Sequence, residues 1–183
     1  MIEFIAKLLT FYIPFKKPRK FLRKRIQTLC HGWKIYFKAK KVGKGLYVGG
    51  PSKIGYNTYL SDHVCFNGMD IRGHGKVTIG RYFHSGTGCT ILTENHEYDN
   101  NESIPYSSKN VWKPVEIGDF VWFGINVLVL PGTKIGEGAI IQAGSVVHGE
   151  IPPYAIAGGN PAKVFKYRDK ESFEKLKAEG KFH

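Results

Sequence analysis

The chain has 183 residues, of which 42% are hydrophobic and 23% charged, and its formal net charge is +12. This composition excludes a disordered chain, because disordered chains are poor in apolar residues. The charge is uneven: residues 1–41 hold 12 Lys and Arg and one acidic residue (+11), while residues 42–183 hold 15 and 14 (+1). The body of the protein is therefore nearly neutral, and we expect no nucleic-acid partner.

Residues 1–41 are predicted to form a basic, amphipathic, helical segment. Pro14 and Pro18 are expected to interrupt it, with a second helix over about residues 20–39. The apolar stretch 2–15 is shorter than the roughly 20 residues of a membrane-spanning helix. Two interpretations stay open: residues 1–25 bind an anionic membrane surface peripherally, or the segment caps the open edge of the fold that follows.

Three cysteines, Cys30, Cys65 and Cys89, occur without a CxxC pair. An odd number without metal-like spacing indicates neither a disulfide framework nor a zinc site. We expect no metal and a cytoplasmic location, at the inner face of the membrane if residues 1–25 bind lipid.

From residue 42 onward, aliphatic or aromatic residues recur every six positions. A six-residue period fits neither an α-helix nor an amphipathic strand, and it is typical of a parallel β-helix. Each hexapeptide is expected to form one flat side of a triangular coil, with its repeating residue pointing inward. The three runs are Val42, Val48, Ile54, Leu60 and Phe66; Ile79, Ser85 and Ile91; and Ile117, Phe123, Val129, Ile135, Ile141, Val147 and Pro153.

The period breaks twice. One extra residue lies between Phe66 and Ile79, and 26 residues separate Ile91 from Ile117. We therefore predict an all-β domain over residues 42–168, from which residues 93–114 project as a loop. The tail 169–183 is predicted to hold a short polar helix over 169–179, anchored by Phe173 and Leu176.

Five features in combination resemble the galactoside and maltose O-acetyltransferases, together with xenobiotic and polysaccharide-modifying acetyltransferases. They are a histidine 17 residues after Ile79, VWFG at 121–124, LPG at 130–132, AGSVV at 143–147 and GGNPAK at 158–163. The resemblance covers residues 42–168. It implies a left-handed parallel β-helix, acetyl-CoA as acyl donor, a carbohydrate acceptor, and a homotrimer with active sites between subunits.

The resemblance assigns His96 as general base, and the chemistry agrees. A hydroxyl near pKa 16 attacks a thioester only if a base removes its proton, and histidine titrates in a suitable range. Relatives orient this histidine with a glutamate late in the loop, where this chain has Lys109 and Asn110. The orienting group is left open among Glu97, Asp99, Glu102 and a backbone carbonyl.

The resemblance also places the donor and acceptor sites. His84 follows Ile79 by five residues, as Trp122 follows Ile117, so both side chains are expected to line one groove; Trp122 could equally pack at the trimer contact. The donor residues implied are Trp122, Gly124, Ile125, Ala143, Gly144, His148, Lys163 and Lys166, and the acceptor residues are Ser61, Asp62, Asn67 and His84.

These observations favour an O-acetyltransferase acting on a sugar hydroxyl, in surface-polysaccharide synthesis. Transfer to the amine of an amino-sugar is the first alternative, and the sequence does not separate the two. A metalloenzyme like the γ-type carbonic anhydrases would need a close pair of histidines, which is absent from this sequence. A non-catalytic scaffold or nucleic-acid binder is the remaining alternative, and it would not bind coenzyme A.

Overall fold

The computed structural model describes residues 16–99 and 102–183. Two helices, α1 (Lys16–Lys38) and α2 (Lys170–Ala178), flank nineteen short strands numbered in chain order. Sheet A contains β1 (Lys41–Val42), β3 (Thr58–Leu60), β6 (Val77–Ile79), β11 (Val115–Ile117), β14 (Lys134–Ile135) and β17 (Glu150–Ile151). Sheet B contains β2 (Tyr47–Val48), β4 (Cys65–Phe66), β7 (His84–Ser85), β12 (Trp122–Phe123), β15 (Ile140–Ile141), β18 (Ala155–Gly159) and the antiparallel β19 (Ala162–Tyr167). Sheet C contains β5 (Met69–Arg72), β8 (Cys89–Leu92), β13 (Leu128–Val129) and β16 (Val146–Val147).

The chain visits sheets A, B and C in turn and forms a parallel β-solenoid. Val42 pairs with Leu60, 18 residues later, and the Gly43 amide donates to the Leu60 carbonyl at 2.9 Å. Three hexapeptides per turn and six strands in sheet A give about six turns. The predicted fold class is confirmed. The turns between sheets form three edges along the solenoid, which we call the A/B, B/C and C/A ridges.

Inward-facing side chains of the hexapeptide runs form one continuous core. Its largest members include Phe66, Phe83 and Phe123, all fully buried. The Phe83 ring meets Phe66 and Phe123 edge-on, at centroid distances of 6.0 and 5.0 Å. The inward position predicted for Pro153 is wrong: Pro153 is exposed, at the turn that follows β17. Gly136 of the preceding turn packs against it, and a proline at this turn costs the sheets no backbone donor.

Ser85 is the polar exception in this core. It is 2% exposed, and its hydroxyl has no hydrogen-bond partner within residues 16–99 and 102–183. The neighbouring Phe83 ring fills the interior at this level, so a small side chain fits between Phe66 and Phe123 in the same column.

Ser85→Ala is expected to raise the free energy of unfolding by about 1 kcal/mol, because it removes a desolvated hydroxyl that gains no bond on folding. Ser145→Ala is the matched control. The buried Ser145 hydroxyl donates to the Gln142 carbonyl at 2.8 Å and accepts from the Gly159 amide at 3.2 Å, so its loss is expected to destabilise. Urea unfolding compares the two variants; a destabilised Ser85→Ala would show that this hydroxyl is satisfied in solution.

The helix α1 covers the first turn, where Ile35 is buried in the core cluster. The helix was predicted to begin after Pro18, but it begins at Lys16 and includes Pro18 in its first turn, where a missing backbone donor is tolerated. Pro14 and the rest of residues 1–15 lie outside the described residues. No helix in the described part of the chain is long and apolar enough to cross a membrane.

The helix α2 follows the last turn. Asp169 caps its N-terminus by accepting from the Ser172 amide at 2.6 Å. Phe173 anchors it against Phe120 and Tyr154, with ring centroids 5.9 and 5.1 Å apart. The second predicted anchor, Leu176, is 46% exposed and does not serve as one.

Candidate active site

The 26-residue interruption leaves the solenoid at the C/A ridge as a β-hairpin. Its strands are β9 (Glu94–His96) and β10 (Asn110–Trp112), which pair antiparallel with Asn110 opposite His96. Thr93 fastens its base: the hydroxyl donates to the Arg72 carbonyl at 2.8 Å and accepts from the Gly75 amide at 3.1 Å. The sequence predicted the projection, and the structure gives it regular strands.

His96 is exposed at the end of β9. Its ring stacks on Tyr106, with centroids 4.0 Å apart and planes 7° from parallel. Within the described residues, neither imidazole nitrogen makes a side-chain hydrogen bond. Stacking fixes the plane of the ring and leaves both nitrogens at its edge available to another molecule. Tyr106 is a functional candidate that the sequence did not reveal, because only the hairpin brings it next to His96.

The carboxylates proposed to orient His96 contact other groups. Glu97 accepts from the Ser107 hydroxyl at 2.9 Å, and Glu102 forms an ion pair with Lys109 at 2.7 Å. Asp99 lies exposed three residues beyond His96. These contacts close the hairpin on itself, so within one chain the histidine is positioned by an aromatic ring and by no carboxylate.

His84 and Trp122 lie side by side on the outer face of sheet B, paired in register as their equal spacing predicted. They line a cavity of about 470 Å³ together with Phe120, Arg168 and the C-terminal residue His183. Burial lowers the pKa of His84, opposed in part by a hydrogen bond with the backbone of His183. The rings of His84 and His183 are 5.9 Å apart. His84 is thus a neutral imidazole around neutral pH, able to donate or accept.

The B/C ridge presents exposed backbone over two successive turns. Gly124 packs so closely beneath Ala143 that a Cβ at Gly124 would lie 2.5 Å from the Ala143 nitrogen. Gly144 has φ +71°, a conformation that favours glycine, and its amide donates to the Ile125 carbonyl at 2.9 Å. Ala143 and Gly144 are exposed. An extended ligand could therefore contact the backbone along this ridge, which we call the glycine ridge.

The glycine ridge continues toward two lysines on β19. Gly158 lies against the side chain of Gln142, one turn above Gly124, and it pairs across the antiparallel strands with Lys163. Lys166 pairs with Ile156 on the same strand, and both lysines are exposed. Cations at the upper end of an apolar ridge suit the phosphates of a long ligand.

The predicted acceptor residues fall on different ridges. Ser61 and Asp62 lie on the A/B ridge, where Asp62 accepts from the Lys44 amide at 2.8 Å. Asp119 makes the same bond to the Arg81 amide at 2.8 Å, so this carboxylate position joins successive turns. Asn67 lies on the B/C ridge below Gly124, and its amide donates to the Ser85 carbonyl at 2.9 Å. Structure alone accounts for Asp62 and Asn67 in this way.

His148 lies exposed on the C/A ridge, the ridge that bears the hairpin. It is therefore apart from the other predicted donor residues, which lie on the B/C ridge, on sheet B and on β19. Within the described residues, no three His, Cys, Asp or Glu side chains group as metal ligands would.

The stacked turns and their six-residue period define a hexapeptide-repeat β-solenoid protein. Residues 114–149 match the family model described as "Bacterial transferase hexapeptide (six repeats)". The structure resembles that of a galactoside acetyltransferase in complex with coenzyme A, with TM-score 0.66 and 23% identity over 93% of this chain and 82% of that one. Because coils of opposite hand do not superpose, the two solenoids share one hand.

The sequence is similar to those of acetyltransferases. The "Putative acetyltransferase SAV2555" of Staphylococcus aureus (strain Mu50) is 40% identical over 122 residues, which are 65% of this chain and 56% of the relative. The chloramphenicol acetyltransferase of Klebsiella aerogenes is 36% identical over 109 residues, 51% of this chain and 52% of the relative. The chain thus spans about half the length of these curated relatives.

Proposed function

We propose that the chain is an acetyl-CoA-dependent O-acetyltransferase that acts on a sugar hydroxyl of a surface polysaccharide or its precursor. The observation that carries the proposal is the His96 imidazole, held by stacking at the edge of a projecting hairpin with both nitrogens available. The acetyltransferases among its relatives support the same reaction. Free thiols at Cys30, Cys65 and Cys89 suit the cytoplasm, where we place the enzyme.

In this reaction, a nitrogen of His96 takes the proton of the acceptor hydroxyl as its oxygen bonds to the thioester carbonyl carbon. The tetrahedral intermediate then collapses, the carbon–sulfur bond breaks, and the leaving sulfur takes the proton back from the imidazolium. The products are an acetyl ester and free coenzyme A, and the histidine returns to its neutral form. General-base assistance of this kind contributes roughly 10²- to 10⁴-fold in rate.

The glycine ridge is the proposed donor site. The pantetheine arm would lie against the backbone of Gly124, Ile125, Ala143 and Gly144, and the phosphates would reach Lys163 and Lys166. Backbone contact tolerates an apolar residue such as Ile125, which is 51% exposed here. His84 and Trp122 lie on the neighbouring face and would border the reacting end.

Lys163→Ala combined with Lys166→Ala is expected to weaken coenzyme A binding about tenfold, because two phosphate contacts in an exposed site are lost. Calorimetry measures the dissociation constant. Lys134→Ala, an exposed lysine on sheet A, is the matched control and should leave it unchanged. Unaltered affinity in the double variant would contradict the assigned phosphate end.

A homotrimer is part of the proposal because the site residues of one chain are far apart. The hairpin leaves the C/A ridge, and the glycine ridge lies across sheet C, a hexapeptide side that spans up to about 20 Å. Reacting groups must approach to about 3–3.5 Å. His96 of one subunit and the glycine ridge of a neighbour would then form each site.

The function is tested by the release of free thiol from acetyl-CoA in the presence of sugars, nucleotide sugars and lipid-linked glycans. Turnover with a hydroxyl acceptor supports O-acetylation. Turnover confined to amino-sugars would move the assignment to N-acetylation, and the absence of any acetyl-CoA binding would leave a non-catalytic scaffold. Sedimentation velocity on the same sample gives the subunit number, and an active monomer would contradict the shared site.

A further inference from the structure

The helix α1 carries an apolar stripe along one side. Leu22, Ile26, Leu29, Trp33 and Tyr36 follow one another at spacings of 4, 3, 4 and 3 residues, and Phe37 adjoins them. At 3.6 residues per turn these six side chains lie within a sector of about 100°, which is the width of a core-facing stripe. We call it the α1 stripe.

The α1 stripe faces away from the solenoid. An amphipathic helix on a globular domain normally turns its apolar side to the core. Here the opposite side does so: Ile35 is 1% exposed against the first turn, whereas Leu29, Trp33 and Phe37 are 62%, 60% and 74% exposed. Capping the first turn therefore does not account for the stripe.

Three aromatic rings gather at the C-terminal end of the stripe. Trp33 and Phe37 have ring centroids 5.4 Å apart, and Tyr36 meets Phe37 edge-on at 5.8 Å. Tyrosine and tryptophan are enriched where proteins meet the interface between lipid and water, because their rings are apolar and carry a polar group.

The charge around the stripe has one sign. Residues 16–44 contain twelve Lys and Arg and no Asp or Glu. On the described part of the helix and just beyond it, Lys24, Lys34, Lys38, Lys40 and Lys44 are exposed. A second copy of the chain would bring like charges together beside its own stripe, whereas an anionic surface complements them.

We propose that α1 docks on an anionic lipid bilayer, with the α1 stripe in the headgroup region and the surrounding cations against lipid phosphates. The helix lies along the surface and does not cross it, consistent with its many charges. This surface is distinct from residues 1–25 taken alone, since its aromatic end lies at residues 33–37. The inference is independent of the acetyl-transfer reaction.

The test is co-sedimentation of the full chain with vesicles of phosphatidylcholine alone and of phosphatidylcholine with 30% phosphatidylglycerol. Trp33→Ser combined with Phe37→Ser removes the aromatic end of the stripe. Tyr98→Ser removes an exposed aromatic ring on the hairpin (76% exposed) and is the matched control. We expect the wild type and the control to bind the anionic vesicles, and the double variant to bind about tenfold more weakly.

Circular dichroism checks that the double variant keeps its helix, and its coenzyme A affinity should equal that of the wild type, so failure of docking is separable from failure of catalysis. Undiminished vesicle binding by the double variant overturns the proposal, as does equal binding to neutral vesicles. Absent vesicle binding together with a lower subunit number in the double variant would instead assign the stripe to a second copy of the chain.

Discussion

His96→Ala is expected to lower kcat roughly 10²- to 10⁴-fold while leaving the dissociation constant of acetyl-CoA unchanged. The loss follows from removing the base that takes the hydroxyl proton, and the unchanged affinity follows from the distance between the hairpin and the glycine ridge. Steady-state kinetics with the acceptor found in the thiol-release screen measures the first quantity, and calorimetry measures the second.

His63→Asn is the control for this experiment. His63 is also an exposed histidine, but it lies on the A/B ridge with φ 57°, a conformation that asparagine tolerates well. Its activity should match that of the wild type. Turnover of His96→Ala at the wild-type rate would refute the assigned base, and a parallel loss of acetyl-CoA affinity would move His96 into the donor site.

Phe83→Ala is expected to lower the free energy of unfolding by about 3–5 kcal/mol. The ring is fully buried and wedged edge-on between Phe66 and Phe123, so its removal leaves a cavity that stiff stacked turns cannot close. Urea unfolding at equal protein concentration measures the change, since an oligomer's stability depends on concentration.

The same substitution on the surface sets the scale for this loss. Phe37→Ala removes a ring that is 74% exposed on α1 and should change the free energy of unfolding by less than about 0.5 kcal/mol. A cost near 1 kcal/mol for Phe83→Ala would show that the core relaxes around the cavity. The interior would then be less rigid than its ring packing indicates.

The fold was predictable because a solenoid repeats its geometry along the chain. Every hexapeptide sets one residue inward, so Leu60, Phe123 and Ile141 identify the core through their spacing alone. Pro153 failed because its turn follows a different path into β18, and a period says nothing about where a repeat ends. Pro18 failed because its helix begins two residues earlier, and helix starts are uncertain at that scale.

The site was predictable in part. Motif resemblance located His96 on a projecting segment, and equal spacing placed His84 beside Trp122. It could not reveal that Tyr106 stacks on His96, or that Glu97 and Glu102 are held by Ser107 and Lys109. These contacts lie within a single insertion that has no repeat, so its turns decide which side chains meet.

The sequence by itself determined the parallel solenoid, its core positions and the place of its interruption, since all three depend on which way each residue of a regular repeat points. Only the tertiary structure decided that the hairpin and the glycine ridge lie on different ridges, and that α1 turns its apolar stripe outward. Both depend on how separate elements are placed against one another. A hydrophobic pattern shows that a helix has an apolar side, but which surface that side meets is fixed by the rest of the molecule and by its partners.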